Sequence, residues 1–329
     1  VTLLFIDGFD HYAANTDGGM NSIVTTDQTS APGRFGDGRY KTTNGGGVIF
    51  PTTLTSFVMG VAIISNYDAG GWYIQLGSVY INGNLDGLGA ISIANDNTQY
   101  SWIRRSNNGL VYANVWSYIE VKMNTVANTV EVRLNGVAVP GLPATTVGWD
   151  ISGVGSALIN PGSWVRSTNI DDFYLCDTNG SVNNDFLGDV RVETIRPSSA
   201  GSSTTWSTST VSGVNYQMVD ESITNDDTDY VYTNVLNNKD LYGMSDLSTA
   251  TTGTVLGVQV NVRARKTDSG TRGIKSVAKV GASEADSIEY GTISTSWLWF
   301  WDLRENKPGG TGWTIAEVNS MEAGVKVTT

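Results

Sequence analysis

Along most of this 329-residue chain, apolar and polar residues trade places at every second position, in short runs cut by Gly, Asn, Asp and Ser. The clearest copy is WSYIEVKMNTVANTVEVRLNGVAV, residues 116–139. Ile119, Val121 and Met123 fall on one side, and Val130, Val132 and Leu134 repeat the alternation after a polar turn at 126–128. Asn135-Gly136 closes the unit, and that dipeptide suits a type I′ hairpin because both residues accept positive φ. Period-two alternation sends alternate side chains to opposite faces, so such segments are strands of sheets with one face buried. The fold class predicted is all-β and antiparallel.

The first half yields strands over 3–9, 47–49, 56–64, 72–81, 90–94, 100–104, 116–123, 129–134 and 170–176. Turn signals separate most of them, at 68–71, Asn82-Gly83, 107–109 and Asn135-Gly136, and 14–19 and 42–47 read as Gly- and Asn-rich loops. This spacing fits a two-sheet sandwich. Residues 196–212, RPSSAGSSTTWSTSTVS, then lose nearly all large apolar side chains except Trp206. The predicted organisation is a sandwich over 1–187, a linker or long loop over 188–212, and a second, smaller β domain over 213–329. In that second part, strands are expected at 216–219, 230–233, 255–265 and 274–280, with an aromatic run WLWFW at 297–301. One short helix is predicted inside 312–324: Thr314 is the N-cap, Glu317 completes a capping box, and Gly324 sits at C′, with a last strand at 325–327.

Composition narrows the functions. Thirty-eight glycines and a 40% hydrophobic fraction describe a turn-rich chain able to bury large cores. Lys plus Arg number 20 against 32 Asp plus Glu, a net charge of −12, and such a surface repels nucleic-acid phosphates. Cys176 is the only cysteine and His11 the only histidine, which rules out an intrachain disulfide and a zinc site built from His and Cys. Any serine or cysteine triad would need His11 as its base. No run reaches the roughly 20 apolar residues of a membrane span. The N-terminal VTLLFIDGFD has no basic region or cleavage signature, so it reads as a first strand and not a signal peptide.

Three segments carry a family resemblance: 4–9, the hairpin 116–136, and IDDFYL at 170–175. On these, the first half resembles the concanavalin A-like lectin/glucanase group of jelly-roll sandwiches, especially its laminin-G-like branch. FLGDVRVETIRP at 186–197, residues 226–230 and WTIAEVNSMEAGVKV at 313–327 make the second half similar to segments attached to such domains in proteins of tailed bacteriophages. That resemblance implies a virion structural protein (tail fibre, baseplate appendage or capsid decoration) assembled in the host cytoplasm. Its expected partners are other virion proteins and further copies of itself, a trimer favoured, with a host surface glycan as ligand. The alternatives are a free-standing carbohydrate-binding lectin module and a glycoside hydrolase.

Candidate residues follow from chemistry. Sugar rings stack on exposed aromatic faces, which singles out Trp72, Tyr73, Tyr100, Trp102, Tyr112 and Trp149 as glycan contacts. Asp226, Asp227 and Asp229 offer the dense oxygen ligands that Ca²⁺ prefers, against the equally ordinary use of Asp in turns. Asn95, Asp96 and Asn97 form a second such run. Trp297, Trp299 and Trp301 read as a subunit contact, since aromatics concentrate at interfaces. EADSIE, 284–289, resembles the paired-carboxylate strand of the glucanases, but it lies outside the sandwich half. A solvated acidic loop is the better reading there, so no catalytic residue is assigned and no enzyme is expected.

Overall fold

Asn135 and Gly136 take φ of 50° and 77°, and the strands they join pair in register, Leu134 opposite Val137. The hairpin thus forms at the predicted dipeptide. The computed structural model describes residues 2–11, 33–36, 40–42, 46–65, 71–98, 101–161, 168–210, 213–222, 224–249, 251–291 and 293–329. Loop 14–19, most of the 68–71 turn and Tyr100 lie outside that set. The chain is an antiparallel, almost entirely β protein. It divides into two units, Val1–Glu193 and Thr194–Thr329.

The first unit is a jelly-roll sandwich. Its strands are β1 (Leu3–Asp7), β2 (Tyr40–Thr42), β3 (Gly46–Leu54), β4 (Ser56–Ser65), β5 (Trp72–Leu76), β6 (Val79–Gly83) and β7 (Ile91–Ala94). They continue as β8 (Trp102–Arg105), β9 (Ser117–Asn124), β10 (Thr129–Leu134), β11 (Val137–Ala138), β12 (Thr145–Thr146), β13 (Val154–Pro161) and β14 (Thr168–Asp177). One sheet has eight strands, with the path β1-β14-β4-β9-β10-β11; β2 pairs with β14 and β12 with β10. The other runs β3-β13-β5-β6-β7-β8. Met59, Val61, Val121 and Val132 from the first sheet and Ile74, Ile81, Ile93 and Ile159 from the second are fully buried between them. Phe50 of β3 meets Phe57 of β4 edge-on at 5.4 Å, tying the layers. Each such side chain contributes roughly 1.5–3 kcal/mol on burial. The 72–81 segment, expected as one strand, is a hairpin, because Gly77 turns the chain with a φ of 61°.

The outer face of the eight-stranded sheet is covered by the unit's own chain. Glu120 of β9 is fully buried, and its Oε1 accepts from the Tyr174 hydroxyl at 2.6 Å and from Gly188 N–H at 2.8 Å. Asp172, in the IDDFYL strand, accepts from Val192 N–H at 2.7 Å. Phe186 lies under the Arg133 guanidinium at 4.0 Å. Buried acceptors thus strap residues 185–193 across the sheet, which satisfies backbone donors that burial would otherwise strand.

The second unit contains β15 (Pro197–Thr204), β16 (Ser207–Thr208), β17 (Val231–Tyr232), β18 (Lys239–Met244), β19 (Val258–Ala264), β20 (Ile274–Val280), β21 (Ser283–Asp286), β22 (Leu298–Arg304) and β23 (Glu322–Val327). Five form a sheet in the order β15-β18-β23-β20-β21, while β19 and β22 make a two-stranded ribbon. The ribbon's Val260 and Phe300 join Ile274, Ala278, Trp313, Val318 and Val325 in the core. Four expectations change here. Residues 197–204, within the predicted linker or loop, form an edge strand. Residues 216–219, expected as a strand, fall largely in a 3₁₀ turn, Asn215–Met218. The helix α1 (Ile315–Asn319) has the Thr314–Glu317 capping box but only five residues. Gly324 does not cap it; it lies within β23, where a Cβ would sit 1.9 Å from the Asp240 carbonyl oxygen.

Candidate functional site

Strand phase decides which aromatics can meet a ligand. In β5 and β6, Trp72, Ile74, Leu76, Val79 and Ile81 are buried, so Tyr73, Gln75, Tyr80 and Asn82 face away from the core. Register extends this outer face across the six-stranded sheet. One row is Asn160 (β13), Tyr73, Asn82, Ser92 (β7) and Arg105 (β8); the next is Leu158, Gln75, Tyr80, Ala94 and Trp102. A β-bulge between β7 and β8 puts both Trp102 and Arg105 on this face.

The row positions make one end of the face chemically distinctive. Asn82, Asp86, Ser92, Trp102 and Arg105 line a shallow dimple. Trp102 is 48% exposed, so its ring has a free side. Arg105 donates from Nε to Asp86 Oδ2 at 2.9 Å, and its Nη2 reaches the same oxygen. Asp86 Oδ1 accepts from Leu88 N–H at 3.0 Å. The loop carrying Asp86 is held by Asn84, which takes a φ of 55° and accepts from Gly89 N–H at 2.7 Å. Asn82 is 2% exposed; its Nδ2 donates to the Asp96 carbonyl at 3.3 Å, while its Oδ1 has no hydrogen-bond partner. Further along the face Tyr73 and Tyr80 pack ring to ring at 5.7 Å. Burial, with Tyr73 and Asp96 nearby, pushes the Tyr80 phenol up, so it stays a neutral donor.

The sequence-predicted glycan contacts separate on this map. Trp102 and Tyr73 stand on the face. Trp72 does not: it is 1% exposed and its ring lies against Gly83, where a Cβ would come within 2.3 Å of it. Tyr112 is exposed on a loop with its hydroxyl on the Gly109 carbonyl, and Trp149 is half-buried, donating to Ser78 Oγ at 3.1 Å. The sequence reading missed Tyr80, Asn82 and Arg105. For Tyr80 the signal was the alternation itself, once Trp72 is set to the inside; Arg105 reaches the face only through the β7–β8 bulge.

The other candidates resolve differently. Asp226 takes Arg263 on both oxygens, at 2.6 and 2.9 Å, and Asp227 takes Arg265 at 2.6 Å. Those guanidinium groups lie over Trp299 and Trp297 at 5.4 and 5.3 Å. Asp229 accepts from Asn225. The three aspartates therefore do not fit a calcium cage, and among the described residues no three acidic, His or Cys groups are placed to hold a metal. Trp297, Trp299 and Trp301, the expected subunit contact, share one face of the ribbon, and arginines of the same chain lie over the first two. Glu284 is held by Lys239 at 2.6 Å and Asp286 by Lys326 at 3.3 Å, while Glu289 accepts from the Thr329 hydroxyl at 3.3 Å.

No family model and no curated protein matches the sequence. Solved structures with similar sandwiches include the galectin LEC-6 of Caenorhabditis elegans, at 10% identity and TM-score 0.32, covering 42% of this chain and 94% of that one. The exoplasmic domain of VIP36 in its Ca²⁺/mannose-bound form gives 9% identity and TM-score 0.33, over 50% of this chain and 84% of that one. A sialidase gives 9% identity and TM-score 0.34 over 43% of this chain, which spans only 15% of the sialidase. Likenesses at this level carry no functional argument, and the site stands on its own geometry.

Proposed function

We propose that this protein binds carbohydrate through the outer face of its six-stranded sheet, at the Trp102 dimple. The observation that carries the proposal is a half-exposed indole, Trp102, set beside Ser92 and the Asp86–Arg105 pair on one sheet face. A pyranose has an apolar C–H face and a rim of hydroxyls. Trp102 receives the first, and the Ser92 hydroxyl and Asp86 carboxylate at the dimple meet the second. The Arg105–Asp86 pair fixes the rim of the dimple. Binding is the whole activity; no bond is made or broken.

Carried on a virion, as the resemblance of the second half implies, such a module would attach the particle to host surface glycan. A trimer there would multiply individually weak sites through avidity. The test is a glycan array probed with the native chain and with Trp102→Ala. The native chain is expected to retain a defined set of glycans and the variant to lose it. No retained glycan, or equal retention by both, would overturn the proposal.

A further inference from the structure

Resting on that carbohydrate-binding reading, we infer that the ligand is an uncharged oligosaccharide of two or more rings, laid across the strands from Trp102 toward Tyr80 and Tyr73. Charge disfavours the anionic sugars. The one cation in the dimple, Arg105, has two donors on Asp86 and a third, Nη1, on the Ser106 carbonyl at 3.3 Å. Arg104 lies opposite the fully buried Ile93, on the other side of β8. Asp96, whose backbone carbonyl holds Asn82, adds a further negative charge. A carboxylate or sulfate on the dimple would meet Asp86 and Asp96 and an Arg105 already paired, which weighs against it.

Register supplies the length. Trp102 and Tyr80 are both opposite Ala94, one from each flanking strand. Neighbouring strands lie about 4.8 Å apart, so the two aromatic side chains spring from backbones roughly 10 Å apart, with a small residue between. Tyr73 continues the line one strand further, in ring contact with Tyr80. Asn160 and Gln75 flank these rings with amides that can serve hydroxyls along the chain. A single ring fills only the Trp102 end; the tyrosines have work only if the ligand continues.

Calorimetric titration of the full chain with neutral oligosaccharides of one to four rings, and with the same glycans ending in sialic acid or sulfate, tests this. Affinity for neutral glycans is expected to rise at least about tenfold from one ring to three, a step of ~1.4 kcal/mol. Acid-capped forms should bind at least about tenfold more weakly when the acid falls on the dimple. Tyr80→Ala should remove the gain from length. Preference for the acidic forms, or affinity independent of length and of Tyr80, would overturn the inference while leaving the face a carbohydrate site. No binding of any sugar would overturn both.

Discussion

Two sheet faces in this molecule carry rows of aromatic residues, and they have opposite fates. On the ribbon of the second unit, Arg263 and Arg265 lie over Trp299 and Trp297, each held in place by an aspartate. On the sandwich, Trp102, Tyr80 and Tyr73 have no guanidinium over them among the described residues, and the adjacent arginine is turned aside onto Asp86. The same residue types therefore serve packing in one place and, in our proposal, recognition in the other. What separates them is whether the cross-strand neighbours are cations that can cover the rings. Asn261 and Arg263 stand opposite Trp301 and Trp299, whereas Ala94 stands opposite Trp102.

The sharpest way to break this comparison is a pair of truncations. Trp299→Ala should cost the second unit about 2–4 kcal/mol in denaturant unfolding and leave glycan binding unchanged. Trp102→Ala should do the reverse, with stability within ~0.5 kcal/mol of native and affinity down at least about tenfold. Converting one face into the other is the next step. Ser92→Arg places a guanidinium in the dimple between Asn82 and Arg105, and calorimetry should show glycan affinity falling about tenfold with little change in melting temperature. Uncovering the ribbon is milder: Asp226→Ala leaves Arg263 without its bidentate partner, costs about 1 kcal/mol, and red-shifts tryptophan emission. The smallest effect is acidic. Burial, then the neighbouring Asp229, raises the Glu221 carboxyl from 4.5 to about 6. A raised carboxyl contributes stability that is complete below its unfolded value and is lost as pH climbs through about 6. The stability of the second unit should therefore fall across pH 4.5–6, and Glu221→Gln should flatten that slope.

These contrasts also mark what the sequence could convey. The hairpin at 116–139 was legible because alternation and Asn-Gly agree on both strands and turn. β15 was not: Pro197–Thr204 is an edge strand of small, mostly exposed residues, with no apolar side to alternate. The helix start was written in Thr314 and Glu317, but its end was set by β23 pairing with β18 and β20, a tertiary event. For the site, aromatic abundance pointed to Trp102 and Tyr73 and equally to Trp72. Adjacent strand residues face opposite sides, so one position of phase separates a ligand platform from a core residue. Asn82 had no signal beyond the turn-like Asn-Gly pair it belongs to; the pairing of β5, β6 and β7 buries it.

The account turns on one face being free to bind. Backbone amide chemical shifts of the isotope-labelled chain, followed while a neutral oligosaccharide from the array is added, read that directly. Perturbations confined to β5–β8 and the 84–90 loop are the predicted result. Shifts centred on the ribbon around Trp297–Trp301, or on the Tyr112 loop with β5–β8 silent, would contradict it.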